Sequence, residues 1–216
     1  MKKILVTGFE PFGEETINPS IEVIKRLPTK IDNVEIIPLE LPVVRYKAIE
    51  MIHQAIIEQD PDVILSIGQA GGRSSITVER VGINVDDFSI LDNANNQPLD
   101  ECIYPEGANA YFSNLPIKAI VKKIRETNIS AEVSNTAGTF LCNHVLYGVR
   151  HLIETKYPSK KSGFIHIPFM REQVVNKSVS TPSMELEAMS KAIQQALIAI
   201  IENPKEDIKT VEGALS

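Results

Sequence analysis

The sequence contains no tryptophan, only two cysteines among its 216 residues, and few aromatic side chains, 6% in all. No apolar run approaches the roughly 18 residues of a membrane span, and Met1-Lys2-Lys3 leads into ILVTG, too short for the apolar region of a secretory leader. Neither secretion nor membrane insertion is expected. Cys102 and Cys142 cannot build a multi-bridge framework or a cysteine-rich zinc centre, so a reduced cytoplasm is the expected setting. With 22 basic against 28 acidic residues the chain carries a net charge of -6, which lacks the basic excess that gripping nucleic acid demands. Walker A, H-E-x-x-H and G-x-S-x-G patterns are all missing and the four histidines are scattered. No resident metal and no cofactor are therefore expected.

What is present describes an ordinary globular chain, 43% hydrophobic and 23% charged, able to bury a core. KKILVTG reads as a first buried strand, and Asn18-Pro19 as an N-cap followed by proline at the first helical position, opening a helix that runs to Pro28. VEIIPLELP is extended, with Pro38 and Pro42 placing it at an edge or making it irregular. A helical face is expected from Val43 to Gln59, then the buried-type strand DVILSIG, then extended SITVERVGINVDD. Residues 92 to 114 form a long irregular connection. IKAIVKKIRET (helix), AEVSN (strand), FLCNHVLYGVRHLIET (helix), SGFIHIP (strand) and MELEAMSKAIQQALIAIIEN (helix) complete the pattern. Alternation of this kind predicts one α/β domain over 1–204, a mainly parallel twisted sheet with helices on both faces, and a mobile polar tail over 205–216.

In such a sheet, chemistry gathers in loops beyond the carboxyl ends of the strands. The glycine-rich GQAGGR invites a dinucleotide reading, yet it lacks the G-x-G-x-x-G spacing and no helix follows it. Cys142 falls in the opening turn of a helix after the small-residue turn TAGT. There the helix dipole lowers a thiol's pKa and free N–H groups can hold an oxyanion; an inert cysteine on the helix's apolar face is the alternative. A thiol nucleophile needs a base. His144 lies about 200° round the helix from Cys142, His151 is further along, and His53 has no strand-end placement. His166, near the end of FIHIP, remains, either as a base or as a core histidine. Glu79 can supply an orienting carboxylate, or be one more surface glutamate.

TGFEPFG with INPS, GQAGGRSSITVERVGIN, AYFSNLPIKAI, SNTAGTFLCNH and GFIHIP together resemble the type I pyroglutamyl peptidases, or pyrrolidone-carboxylate peptidases, from about residue 3 to residue 185. The resemblance implies a cytosolic cysteine peptidase, without metal or cofactor and often a homotetramer, that removes N-terminal pyroglutamate from peptides. It implies Cys142 as nucleophile, His166 as base and Glu79 as orienting carboxylate. Phe12 and Phe140 become the pair enclosing the substrate ring, with Phe9, Asn18, the backbone of Gln69, Ile90 and Leu141 also at the pocket. A lactam ring bears one N–H, one C=O and no charge, so such a pocket should be apolar with a few hydrogen-bonding groups. The chain departs from the family's usual Ala-Arg-Ile-Pro-Asp-Asn at Phe88-Ser89-Ile90-Leu91-Asp92-Asn93, where Ser89 replaces an arginine expected to favour negative charge. Cys102 matches no motif. Two rival readings stand beside this one: a weakened relative that binds pyroglutamyl groups without cleaving them, and a nucleoside or sugar-phosphate enzyme built around GQAGGR.

Overall fold

The computed structural model describes residues 1–213. Its elements run, in chain order, β1 (Lys3–Phe9), α1 (Pro19–Ile24), β2 (Lys30–Ile31), β3 (Val34–Leu41), α2 (Lys47–Gln59) and β4 (Val63–Gln69). Then follow β5 (Ile76–Glu79), β6 (Val81–Ile83), β7 (Ala110–Phe112), α3 (Ile117–Arg125), β8 (Ala131–Ser134) and α4 (Leu141–Lys156). The last are β9 (Lys161–Ile167), β10 (Phe169–Met170), a 3₁₀ turn (Arg171–Val174), β11 (Ser183–Met184) and α5 (Leu186–Glu202). The main sheet has the order β2-β3-β1-β4-β9-β5-β8. Strands β1, β3, β4 and β9 are parallel, as two-face burial of their apolar runs requires. Alternate residues feed two cores: Ile4 and Val6 pack with α1, α3 and α5, while Leu5 and Phe9 pack with α2 and α4.

Several boundaries differ from the sequence reading. The first helix stops at Ile24 rather than reaching Pro28. Residues 43–46 are loop, because the Arg45 and Tyr46 backbone is bound elsewhere: Arg45 N–H donates to Asp92 and Tyr46 N–H to His144 Nε2. Strand β3 is covered by β2 only at Val34 and Glu35, which leaves Pro38 on an open edge where its missing N–H costs no ladder bond. The 92–114 connection is largely irregular as expected, apart from β7, which pairs with β6.

The sheet direction changes once in a way that periodicity does not reveal. β5 runs antiparallel to β9, with Thr77 opposite His166, and β8 runs parallel to β5. The chain therefore leaves β8 in the opposite sense to β4 and β9, and residues 135–140 carry it back to start α4.

Part of the C-terminal segment, Asp207 to Glu212, packs back against α3. Helix α3 has Pro116 at its N-cap and no cap of its own. Asp207 supplies one, its carboxylate accepting from the Lys118 and Ala119 N–H groups at 2.9 Å each. Glu212 pairs with Arg125. The end of the expected tail, 214–216, lies outside the described residues.

Candidate active site

His166 sits on β9 and Glu79 on β5. Because Thr77 is directly opposite His166, Glu79 two residues on shares its face of the sheet. His166 Nδ1 lies 2.8 Å from Glu79 Oε1, both side chains being almost wholly buried. Burial works against ionisation of Glu79, but the hydrogen bond and charge of His166, with the charge of Arg73, carry its pKa below the ordinary carboxylate value. An ionised Glu79 is acceptor-only, so Nδ1 holds the imidazole proton and Nε2 keeps its lone pair. Burial holds the pKa of His166 below its usual value despite the opposing pull of Glu79.

Cys142 lies in the first turn of α4, over β4. Gly68 makes this possible: a Cβ there would stand 2.9 Å from Cys142 Sγ and 2.7 Å from Phe164 Cζ. Phe140 caps α4 without a side-chain hydrogen bond, so the first N–H groups of the helix are left unclaimed by a cap. The expectation of a lowered thiol pKa is not met. Burial first, and then the negative charge of Glu79, push the Cys142 thiol up to about 12. Both shifts favour the neutral forms, thiol on Cys142 and imidazole on His166.

Cys142, His166, Arg73, Ser89 and Gln69 line one cleft of about 640 Å³. From it a narrow slot of about 10 Å³ leads between Phe9, Phe12, Val43, Phe140 and Leu141 to Asn18, Gln69 and Cys142. That volume is at the limit for a single water. Phe12 and Phe140 touch each other, with centroids 5.8 Å apart at 35°, whereas a ring held between them needs about 7 Å, two aromatic contacts of ~3.5 Å. Admitting a ring requires the pair to part. Asn18 is the helix cap the sequence indicated: its Oδ1 accepts from Ser20 N–H at 3.0 Å and Ser20 hydroxyl at 2.8 Å, and its Nδ2 donates to the Glu10 carbonyl. One amide hydrogen is left over. Ile90 does not reach the slot; it is 42% exposed and borders a neighbouring groove with Leu91 and Phe169.

The remaining histidines are engaged elsewhere. His144 is fully buried, with Nδ1 at 2.8 Å from Asp86 and Nε2 accepting from Tyr46 N–H. His53 meets Tyr157, and His151 meets Tyr111. Two site residues escaped the sequence reading. Arg73, the last letter of GQAGGR, donates to Glu79 Oε1 at 2.6 Å. Gln173, on the 3₁₀ turn, donates to Gln69 Oε1 and to Glu15 Oε2 at 2.8 Å each, clamping the first loop against β4. Neither carries a spacing signal. Among the described residues no three His, Cys, Asp or Glu side chains are grouped to hold a metal, and no helix is long and apolar enough to cross a membrane.

The fold brings a helix-start thiol and an imidazole to one cleft, with a buried carboxylate behind the imidazole, an arrangement suited to a hydrolase of the cysteine type. The pyroglutamyl peptidase family model matches residues 2–203, and the chain belongs to that family. It is 60% identical over 215 residues to a pyrrolidone-carboxylate peptidase of Fusobacterium nucleatum, covering 100% of both chains. It is 52% identical to one of Clostridium botulinum, covering 99% of each. Among solved structures it matches pyroglutamyl peptidase I from Bacillus amyloliquefaciens with a TM-score of 0.94 at 44% identity, over 97% of this chain and 99% of that one. The pyrrolidone carboxyl peptidase of Thermococcus litoralis gives a TM-score of 0.94 at 39% identity, covering 98% of this chain and 100% of the other.

Proposed function

We propose that this protein hydrolyses the bond after an N-terminal pyroglutamyl residue through a thioester on Cys142. The observation that carries the reading is the hydrogen bond from His166 Nδ1 to buried Glu79, which leaves Nε2 as a proton acceptor in the same cleft as the thiol. The thiol proton passes to Nε2 as sulfur attacks the substrate carbonyl carbon. The N–H groups at the start of α4 receive the developing oxyanion. The tetrahedral species collapses, His166 giving its proton to the leaving amine, and the pyroglutamyl group remains as a thioester. Water then attacks, its proton going to His166, and free pyroglutamate leaves as the thiol is restored.

Starting from neutral partners has a consequence. The thiolate exists only as its proton is transferred, so the nucleophile is made where the carbonyl is waiting. The slot between Phe12 and Phe140 takes the ring, and Asn18, which lines the slot and has one amide hydrogen to spare, is the donor for the lactam carbonyl. A cytoplasmic setting and assembly as a homotetramer belong to the same reading.

The test is turnover of a chromogenic pyroglutamyl amide. Wild-type protein should release the chromophore, Cys102→Ser should stay within about twofold, and Cys142→Ser should lose at least about 10³-fold. Binding without release by the wild type would favour the non-cleaving relative, and neither binding nor release would favour a nucleoside or sugar-phosphate enzyme.

A further inference from the structure

We propose that Arg73 is the fixed cation of this site and a positioning residue that sets the charge balance of the Cys142–His166 pair through Glu79. The inference rests on the reading of that pair as the reacting thiol and base.

Three contacts place the guanidinium. One end nitrogen, Nη1, donates both to Glu79 Oε1 and to the hydroxyl of Thr77, which is directly opposite His166 across the β5–β9 pairing. The other, Nη2, donates to the carbonyl of Thr136 at 3.0 Å, in the turn that returns the chain to α4 and Cys142. Arg73 thus joins the strand bearing the carboxylate to the turn that leads to the thiol. A planar fork suits such a task, since its donors are held in fixed directions.

The contact with Glu79 is more than a brace. Glu79 is fully buried and, among the described residues, its second oxygen, Oε2, has no hydrogen-bond partner. Both ligands of the carboxylate, His166 and Arg73, converge on Oε1. Without Arg73, Glu79 would be a buried anion facing His166 and Cys142 with no neighbouring cation to balance it. Among the described residues lining the cleft, Arg73 is the one Lys or Arg side chain; Asp87 adds a negative group and Ser89 is neutral. Lys177, at the adjacent groove, is taken by Glu15. Arg73 and Glu79 cancel, so the thiol and imidazole react in a near-neutral setting. A positive charge favours the deprotonated form of every group it faces. Its removal therefore moves the titration of His166 and that of Cys142 in the same direction, to higher pH.

The experiment is the pH dependence of Cys142 alkylation by iodoacetamide, in a Cys102→Ser background so that a single thiol reports. This readout does not depend on peptidase activity, so it separates failure of the pyroglutamyl reading from failure of this one. Arg73→Gln should shift the profile upward by about one pH unit, a size usual for a neighbouring charge, and the pH profile of kcat/KM for the pyroglutamyl amide should shift with it. Arg73→Lys keeps the charge but not the fork, so its profile should stay in place while kcat falls. Should the glutamine variant fail to fold, Arg73→Met, which retains an apolar stem of similar length, takes its place. A neutral variant that is slower but has an unmoved profile, or a lysine variant whose profile moves as far as the neutral one's, would reduce Arg73 to a structural brace and overturn the proposal.

Discussion

Glu79 and His166, 87 residues apart in the chain, share a hydrogen bond of 2.8 Å because β5 runs antiparallel to β9 and sets the two on one face of the sheet. Their roles differ. In the proposed mechanism His166 exchanges protons with the reacting groups, whereas Glu79 holds the tautomer and steadies the imidazolium. His166→Ala should lower kcat/KM of the pyroglutamyl amide by on the order of 10⁴-fold and Glu79→Gln by on the order of 10²-fold. Steady-state kinetics on the two variants checks the order, and a fully active Glu79→Gln enzyme would mean that another group orients the histidine.

The same pair makes stability depend on pH. Folded His166 titrates below the unfolded value of about 6.5, so between the two the unfolded chain binds more protons and stability falls as pH drops. Glu79 is depressed in the fold. Its contribution is therefore present above the ordinary carboxylate range and is lost as pH falls through the folded value. His151 is also lowered, by burial first and by Lys156 second, and adds to the first window. Urea midpoints measured from pH 7 down to pH 5 should decline, and less steeply in His166→Gln than in the wild type. Equal slopes would mean that His166 is not held neutral in the fold.

Gly68 makes the space in which the thiol sits. A Cβ placed 2.9 Å from Cys142 Sγ and 2.7 Å from Phe164 Cζ must push one of them aside, and overpacking of this kind costs about 1–3 kcal/mol. Gly68→Ala should lower the unfolding free energy by that amount. Because small displacements of a nucleophile are costly to rate, it should also reduce kcat by about 10²-fold. Unchanged activity with unchanged stability would show that the sheet relaxes without moving the sulfur.

The parts of the architecture most legible in the sequence were those where burial dictates composition. VILSIG and GFIHI are apolar but for Ser66 and His166 because β4 and β9 are covered on both faces, and the helical face of FLCNHVLYGVRHLIET follows from its packing on the sheet. Strand direction was not legible: four β-branched or acidic residues, Ile76 to Glu79, read the same either way, and only pairing with β9 reverses them. Nor could the sequence reveal that Arg73 binds Glu79, since a loop arginine looks the same whether solvated or folded inward. The thiol's raised pKa was missed for a related reason. Spacing locates Cys142 at a helix start, but how far burial outweighs the dipole depends on what covers it. The contact between Phe12 and Phe140 likewise depends on the loop's anchors, among them the Asn93 side chain, which donates to the Pro11 carbonyl at 2.9 Å.

The central claim is that the slot reads a lactam, and it is tested most directly by kcat/KM for matched pyroglutamyl and prolyl amides. Prolyl substrates bring a protonated amine into a chamber lined by Phe9, Phe12, Phe140 and Leu141 and leave its polar groups unpaired. Each effect costs about 1–3 kcal/mol, which together predicts a preference for pyroglutamyl of at least about a hundredfold. Comparable values for the two amides would contradict the account, because the pocket would then be recognising only a five-membered ring.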